Sequence, residues 1–307
     1  MRPRGYNFGA GPGCMPEEVL KQAQTALWNW EGRGMSILEV GFRTPEFIDL
    51  LAETQALFRQ VLSIPDEFEV LFFGGPARAH FAYVPMNLLT PKDKAAYIVS
   101  GIWSDLSYKE ASRLFPNQAY LLESSASSQY LDVPEKMAEI LDETKYIYYC
   151  PNETIAGFEY SPPAALKNIP WVADMTSSIL SEPIDFKQHG LIFAGAQKNV
   201  SNAGLTLVMV RKDWIADSTC AMPLMDDYRL YAREQSLYAT PPVFNIYLMN
   251  VMMKWVIDKG GVNYFSQLSK QKSNLLYQFL DQSSVFKTFV QGHQRSRING
   301  AFTTRDE

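Results

Sequence analysis

The sequence predicts an α/β fold: a large, mostly parallel seven-stranded sheet domain, followed by a smaller and apparently incomplete α/β C-terminal domain. Three observations lead there. Seven short apolar runs, rich in β-branched and aromatic residues, are spread over residues 70–210. Several are separated by helix-length segments, the rhythm of a parallel sheet covered on both faces. Apolar residues at helical spacing precede the first run and follow the last.

The first helix is expected from Pro16 to Trp30, opening on a proline and two acids as a helix start should. A second runs from Pro45 to Val61, with Phe47, Leu50, Leu51, Ala56, Leu57 and Val61 turned inward. The strands then follow at Val70–Phe73, Tyr97–Val99, Ala119–Leu122, Tyr146–Tyr149, Trp171–Ala173, Leu191–Ala194 and Leu205–Val210. The last two lie close together, so one of them is expected to pair antiparallel. Helices at Phe244–Asp258 and Asn263–Leu280 flank a Gly260-Gly261 turn. This divides the chain into a large domain over 16–262 and a small one over 263–307 together with 1–15. Val285–Glu307 holds little more than one strand, and a compact domain needs roughly 50 residues or more. The expectation is therefore a chain that continues further or a small domain that is abbreviated.

Composition narrows the function classes. The 307 residues are 47% hydrophobic and 20% charged, ordinary for a packed protein. A net charge of −5 argues against nucleic-acid and anionic-membrane partners, which favour clustered Lys and Arg. Cys14, Cys150 and Cys220 are far apart and form no C-x-x-C pair, so three reduced, buried thiols in a cytoplasmic protein are expected. The N-terminus has two arginines but no apolar stretch after them, unlike a secretory signal. No apolar run approaches the ~20 residues that span a bilayer. His80, His189 and His293 do not fall at metal-ligand spacing, and surface or helix-packing roles are expected of them.

The chemistry concentrates in WVADMTSSILSEPIDFKQHGLIFAGAQKNVSNAGLTLVMV. One apolar strand ends at Asp174; a second ends near Gly195, just before Lys198. Strand ends of an open α/β sheet converge on a ligand crevice. A carboxylate and an amine at neighbouring strand ends suit pyridoxal 5′-phosphate. That cofactor needs a lysine for its Schiff base and an anion against its pyridine nitrogen. Taken singly, each residue has an ordinary alternative, Lys198 as a solvated loop lysine and Asp174 as a helix N-cap. Gly74-Gly75-Pro76 opens a helix after a strand, a place where phosphate binds. Pro76 has no N–H, so the donors there would be Ala77 and Arg78. Trp103 could stack on a flat ring or fill the core. Asn152 and Thr154, just past another strand, could bond a ring hydroxyl or simply form a polar turn.

With these elements in order, the chain resembles the phosphoserine aminotransferase family, class-V pyridoxal-phosphate enzymes of the aspartate-aminotransferase fold (fold type I). The resemblance rests on NFGAGPG, FRTPEF around Arg43, GG-x-x-R, GIW at Trp103, CPNET at Thr154, AD-x-TSSILS at Asp174, GAQKN at Lys198, AGLT, and TPP at Thr240. It implies that Lys198 holds the cofactor aldehyde and moves the proton at the substrate carbon, while Asp174 pairs with the ring nitrogen. Trp103 would stack on the ring and Thr154 bond its phenolic oxygen. Ala77, Arg78 and Gln197 would hold the phosphate, with Thr240 reaching it from the other subunit of a homodimer with shared sites. Arg43 would bind a substrate carboxylate or phosphate through its planar fork. The implied reaction exchanges an amino group between glutamate and 3-phosphohydroxypyruvate, in serine and in many bacteria also pyridoxine biosynthesis.

The sequence departs from the family pattern at Gly9-Ala10, Phe42, Pro76-Ala77, Ser201-Asn202 and Ala239. The His-Arg pair and further Arg with which the family grips substrate phosphate are not among these residues. One other reading follows from this, a non-catalytic or altered-specificity dimeric cofactor-binding homologue; a third, a related class-V enzyme acting on glyoxylate or a sulfur substrate, would carry different residues around CPNET.

Overall fold

The structure is a computed structural model of the chain and describes residues 4–132, 138–163, 166, 168–216, 222–290 and 292–304. Cys220 lies outside the described residues. Two helices come first, α1 (Glu17–Trp28) and α2 (Pro45–Leu62). The α2 start is set by Thr44, whose hydroxyl accepts the Phe47 N–H at 3.4 Å, and by Pro45 in the first turn. It stops at Ser63, which takes the left-handed conformation with φ 55°.

The body of the chain then alternates. It runs β1 (Phe68–Gly74), α3 (His80–Leu88), β2 (Lys94–Val99), α4 (Ile102–Leu114), β3 (Ala119–Ser124) and β4 (Thr144–Tyr149). A two-residue hairpin, β5 (Asn152–Glu153) and β6 (Phe158–Glu159), precedes β7 (Trp171–Asp174), β8 (His189–Gly195) and β9 (Leu205–Arg211). Short helices α5 (Lys212–Ala216) and α6 (Tyr228–Arg233) lead to α7 (Val243–Asp258) and α8 (Gly261–Gln282). The chain closes on a second small hairpin, β10 (Phe286–Thr288) and β11 (Phe302–Thr304).

The expected seven-stranded sheet forms in the order β1-β9-β8-β7-β4-β2-β3. Only β9 runs against its neighbours, pairing antiparallel with both β8 and β1. Every residue of β8 is buried. Its Ile192 and Ala194 face the core shared with α1, α2 and α7, while Leu191 and Phe193 face the core shared with α3, α4 and α6. A strand covered on both sides needs apolar residues at every position, which is why these runs show no alternation in the sequence. α7 is buried nearly all round, from Asn245 through Met253, because it lies between the sheet and the outer helices. No described helix is long and apolar enough to cross a membrane.

Five expectations need correction. Ala56, expected to turn inward on α2, is exposed, and Phe58 and Leu62 are buried on that helix instead. Helix α1 ends at Trp28, not Trp30, because Asn29 is extended (φ −153°, ψ 97°) and a 3-10 turn follows. His189 is neither a surface nor a helix residue. It sits buried on β8, with Nε2 3.0 Å from the Tyr149 hydroxyl and Nδ1 2.8 Å from the Asp185 carbonyl. Cys14 is exposed, whereas Cys150 is buried as expected. Residues 285–304 supply two short paired strands rather than one.

Candidate active site

The site forms where the parallel strands end. Asp174 closes β7 beside Phe193 of β8, and Met175 extends that pairing by donating its N–H to the Phe193 carbonyl at 2.8 Å. The Asp174 carboxylate accepts the Thr176 N–H at 2.9 Å, and the Thr176 hydroxyl oxygen accepts the Gly195 N–H at 3.1 Å. One threonine thus ties the acid to the end of the next strand. Burial pushes the Asp174 carboxyl above its ordinary range, opposed by the bonds from Thr176 and the charge of Lys198.

Lys198 lies in the turn between β8 and β9. Ser201 closes that turn by donating its N–H to the Ala196 carbonyl at 2.7 Å. Asn199 fastens it to the segment after Asp174, donating to the carbonyls of Ser177 and Ile179. The Lys198 amine donates to the Thr154 hydroxyl oxygen at 3.3 Å, a long bond and its only one among the described residues. Burial lowers its pKa, opposed by the charges of Asp174, Cys150 and Glu153. The N-terminal segment lies directly on this turn: Gly13 donates to the Gln197 carbonyl at 2.8 Å. A Cβ on Gly13 would collide with the Lys198 carbonyl, and one on Gly11 would press on the lysine methylenes at 3.2 Å. Those glycines of NFGAGPG allow close approach of two backbones.

The other expected residues gather around this pair. Thr154 follows β5, and its hydroxyl oxygen also accepts the indole N–H of Trp103 at 3.0 Å. The Arg78 guanidinium lies 5.4 Å from the Trp103 ring centre. A Cβ on Gly195 would meet the Gln197 side-chain oxygen at 2.5 Å and the Ala77 Cβ at 3.2 Å, so Ala77 and Gln197 flank the end of β8. Ala77 and Arg78 begin a 3-10 turn that runs into α3, and the first N–H groups of such a turn have no partner within it. Gly75, with φ 125°, makes the turn in a conformation that glycine tolerates.

A cavity of about 960 Å³ opens on Lys198 and Thr154, walled by the N-terminal segment at Gly9 and Cys14 and by the C-terminal one at Asn299. Asp174, Trp103 and Gln197 join the site through the contacts above rather than as walls of this cavity. Two expected residues are not brought to it. Arg43 is exposed ahead of α2, stacked over its neighbour Phe42 at 4.3 Å, and Thr240 is exposed in the loop before α7.

Three site residues escaped the sequence reading. Glu153 reaches from β5 to the start of α4, where its carboxylate accepts the N–H groups of Trp103 and Ser104. Asn299 donates to the Thr154 carbonyl and accepts from Asn152, each at 2.9 Å. Thr176 stood inside a quoted motif without a role of its own.

These residues fit pyridoxal phosphate. A weakly bonded, partly buried amine suits an aldehyde; a buried carboxylate one strand away suits a pyridinium nitrogen. The N–H groups opening the turn before α3, which have no partner within that turn, suit a phosphate.

Residues 5–306 match the aminotransferase class-V family. The chain is 47% identical over 305 residues to the phosphoserine aminotransferase of Legionella pneumophila (strain Paris), covering 99% of this chain and 84% of that one. It is 39% identical over 306 residues to the Bacillus cereus enzyme, with the same coverage. Among solved structures, phosphoserine aminotransferase from Bacillus circulans subsp. alkalophilus superposes with a TM-score of 0.93 at 36% identity, covering 98% of this chain and 84% of that one. The pyridoxal-phosphate-bound enzyme from Trichomonas vaginalis gives 0.93 at 33%, covering 98% and 89%. By its sheet, its lysine–aspartate pair and these relatives, the chain belongs to the class-V aminotransferases and, among them, to the phosphoserine aminotransferase family.

Proposed function

We propose that this chain exchanges an amino group between glutamate and 3-phosphohydroxypyruvate, giving phosphoserine and 2-oxoglutarate in serine biosynthesis, with pyridoxal phosphate as its cofactor. The observation that carries the reading is the convergence on Thr154 of the Lys198 amine and the Trp103 indole, beside the Asp174 strand tip. The family membership supports the same chemistry.

Pyridoxal phosphate supplies an aldehyde that takes up the donor nitrogen and a ring that withdraws electrons from the substrate Cα. The chain supplies the rest. Burial holds down the proton affinity of the Lys198 amine, which favours the neutral, nucleophilic form and suits it to carry a proton to and from Cα. Asp174 would keep a proton on the ring nitrogen by its negative charge. The Thr154 oxygen already accepts from Trp103 and Lys198, so its own proton remains to be donated to the phenolic oxygen of the ring. The Trp103 ring would stack on the cofactor, and Ala77, Arg78 and Gln197 would hold its phosphate. Arg43 and Thr240, away from the cavity of their own chain, serve the site of a second subunit in a homodimer. The free thiols Cys14 and Cys150 are consistent with work in a reducing compartment such as the cytoplasm.

The test is a half-reaction. Glutamate added to the cofactor-loaded protein should convert the visible band of the lysine-linked cofactor to the shorter-wavelength band of its amine form. 3-Phosphohydroxypyruvate should restore it, and Lys198→Ala should abolish both changes. A wild-type spectrum that no amino donor alters would contradict transamination and favour the non-catalytic reading.

A further inference from the structure

We propose that Glu153 is a positioning residue for this reaction: its buried carboxylate fixes the start of α4 against β5 and so sets the Trp103 ring and the Thr154 hydroxyl in register. The proposal rests on the function just described.

Helix α4 begins at Ile102 with Gly101 as its N-cap, a residue with no side chain to satisfy the first N–H groups. Glu153 satisfies them from far away in the sequence. Its Oε2 accepts the Trp103 N–H at 2.9 Å, and its Oε1 accepts the Ser104 N–H at 2.8 Å and the Ser104 hydroxyl at 2.6 Å. Only 1% of Glu153 is exposed, and burial pushes its carboxyl up; all three partners are donors, and their bonds oppose that shift in favour of the ionised form. The positive end of the helix supports the same charge. Gly101 is required by this approach, because a Cβ there would collide with the Glu153 carboxyl carbon.

An ordinary cap would not need this design. Ser104 already closes the turn locally, accepting the N–H groups of Ser100 and Gly101 at 3.0 and 3.1 Å. Burying a charge to cap one helix is costly where a Ser or Asp at the N-cap position would serve. The long-range carboxylate adds a link between two elements that both end on one atom. Trp103 leaves Glu153 through its backbone and reaches the Thr154 oxygen through its indole, and Thr154 is the next residue after Glu153. The closed circuit Glu153–Trp103–Thr154 leaves the ring and the hydroxyl little freedom relative to Lys198. The Glu153 charge also opposes, after that of Asp174, the burial that lowers the pKa of Lys198.

The experiment compares wild type with Glu153→Gln, both loaded with pyridoxal phosphate. Glutamine keeps the shape but must turn an N–H toward an N–H. The variant is expected to bind cofactor, with a weaker visible circular dichroism from the bound ring and a titration of the lysine-linked band moved to lower pH. Turnover should fall by roughly tenfold or more with KM for glutamate little changed. Wild-type dichroism, titration and kcat in the variant would overturn the proposal. If Glu153→Gln does not fold, Ser104→Ala decides: of the three bonds to Glu153 it removes only the hydroxyl one, together with the local bonds from the Ser100 and Gly101 N–H groups, and it should shift the same readouts in the same direction by less. Unchanged dichroism and kcat in Ser104→Ala would then overturn the proposal. A wild-type protein unresponsive to glutamate would count against transamination itself, while the dichroism would still judge the positioning role.

Discussion

Burial shifts the proton affinity of Asp174, Lys198 and His80, and the consequences differ. Asp174 is driven up and Lys198 down, and each partly restrains the other through its charge. His80 has no such partner. Its ring packs against Phe73 and Phe193, with Nδ1 2.7 Å from the Tyr228 hydroxyl, and burial lowers its pKa from 6.5 to about 3. As pH falls below 6.5 the unfolded chain takes up this proton and the folded chain does not. The imidazole therefore removes on the order of 1 kcal/mol of stability per pH unit down to about pH 3, and nothing above 6.5. Urea unfolding at several pH values should show a flatter acid limb for His80→Gln than for wild type; parallel limbs would contradict this. At this scale the sequence marked Lys198, Asp174, Trp103 and Thr154 because each stands in a short, recognisable string. It hid Glu153 and Asn299, whose partners lie 49 to 147 residues away and leave no local pattern.

At the scale of elements, the strands were legible because burial on both faces writes continuous apolar runs. The reversal of β9 followed from its closeness to β8: residues 196–204 are too few for the crossover that a parallel partner requires. The β5–β6 hairpin was not legible, since two residues per strand carry no periodicity. Yet that hairpin presents Thr154 and Glu153, and the C-terminal segment grips it. Ser296 donates its N–H to the Gly157 carbonyl at 2.8 Å, and Arg297 pairs with Glu159 and Glu182. The bidentate geometry of that arginine is what gives the contact its directionality. The buried strand position of His189 was missed for a related reason: its two polar partners, Tyr149 and Asp185, come from other parts of the chain.

At the scale of the whole molecule, the proposed dimer accounts for Arg43 and Thr240, which stand outside the cavity of their own chain. Arg43→Ala and Lys198→Ala proteins should each be inactive alone and regain activity when unfolded together and refolded as mixed dimers. A mixture as inactive as its parents would contradict shared sites. The central claim is narrower: Lys198, at the tip next to Asp174, is the residue that holds the cofactor. Borohydride reduction of the loaded protein, followed by peptide mass mapping, tests it most directly. The account predicts the pyridoxyl mass on the peptide containing Lys198 and on no other lysine. A tag on a different lysine, or a loaded protein that acquires none, would contradict it.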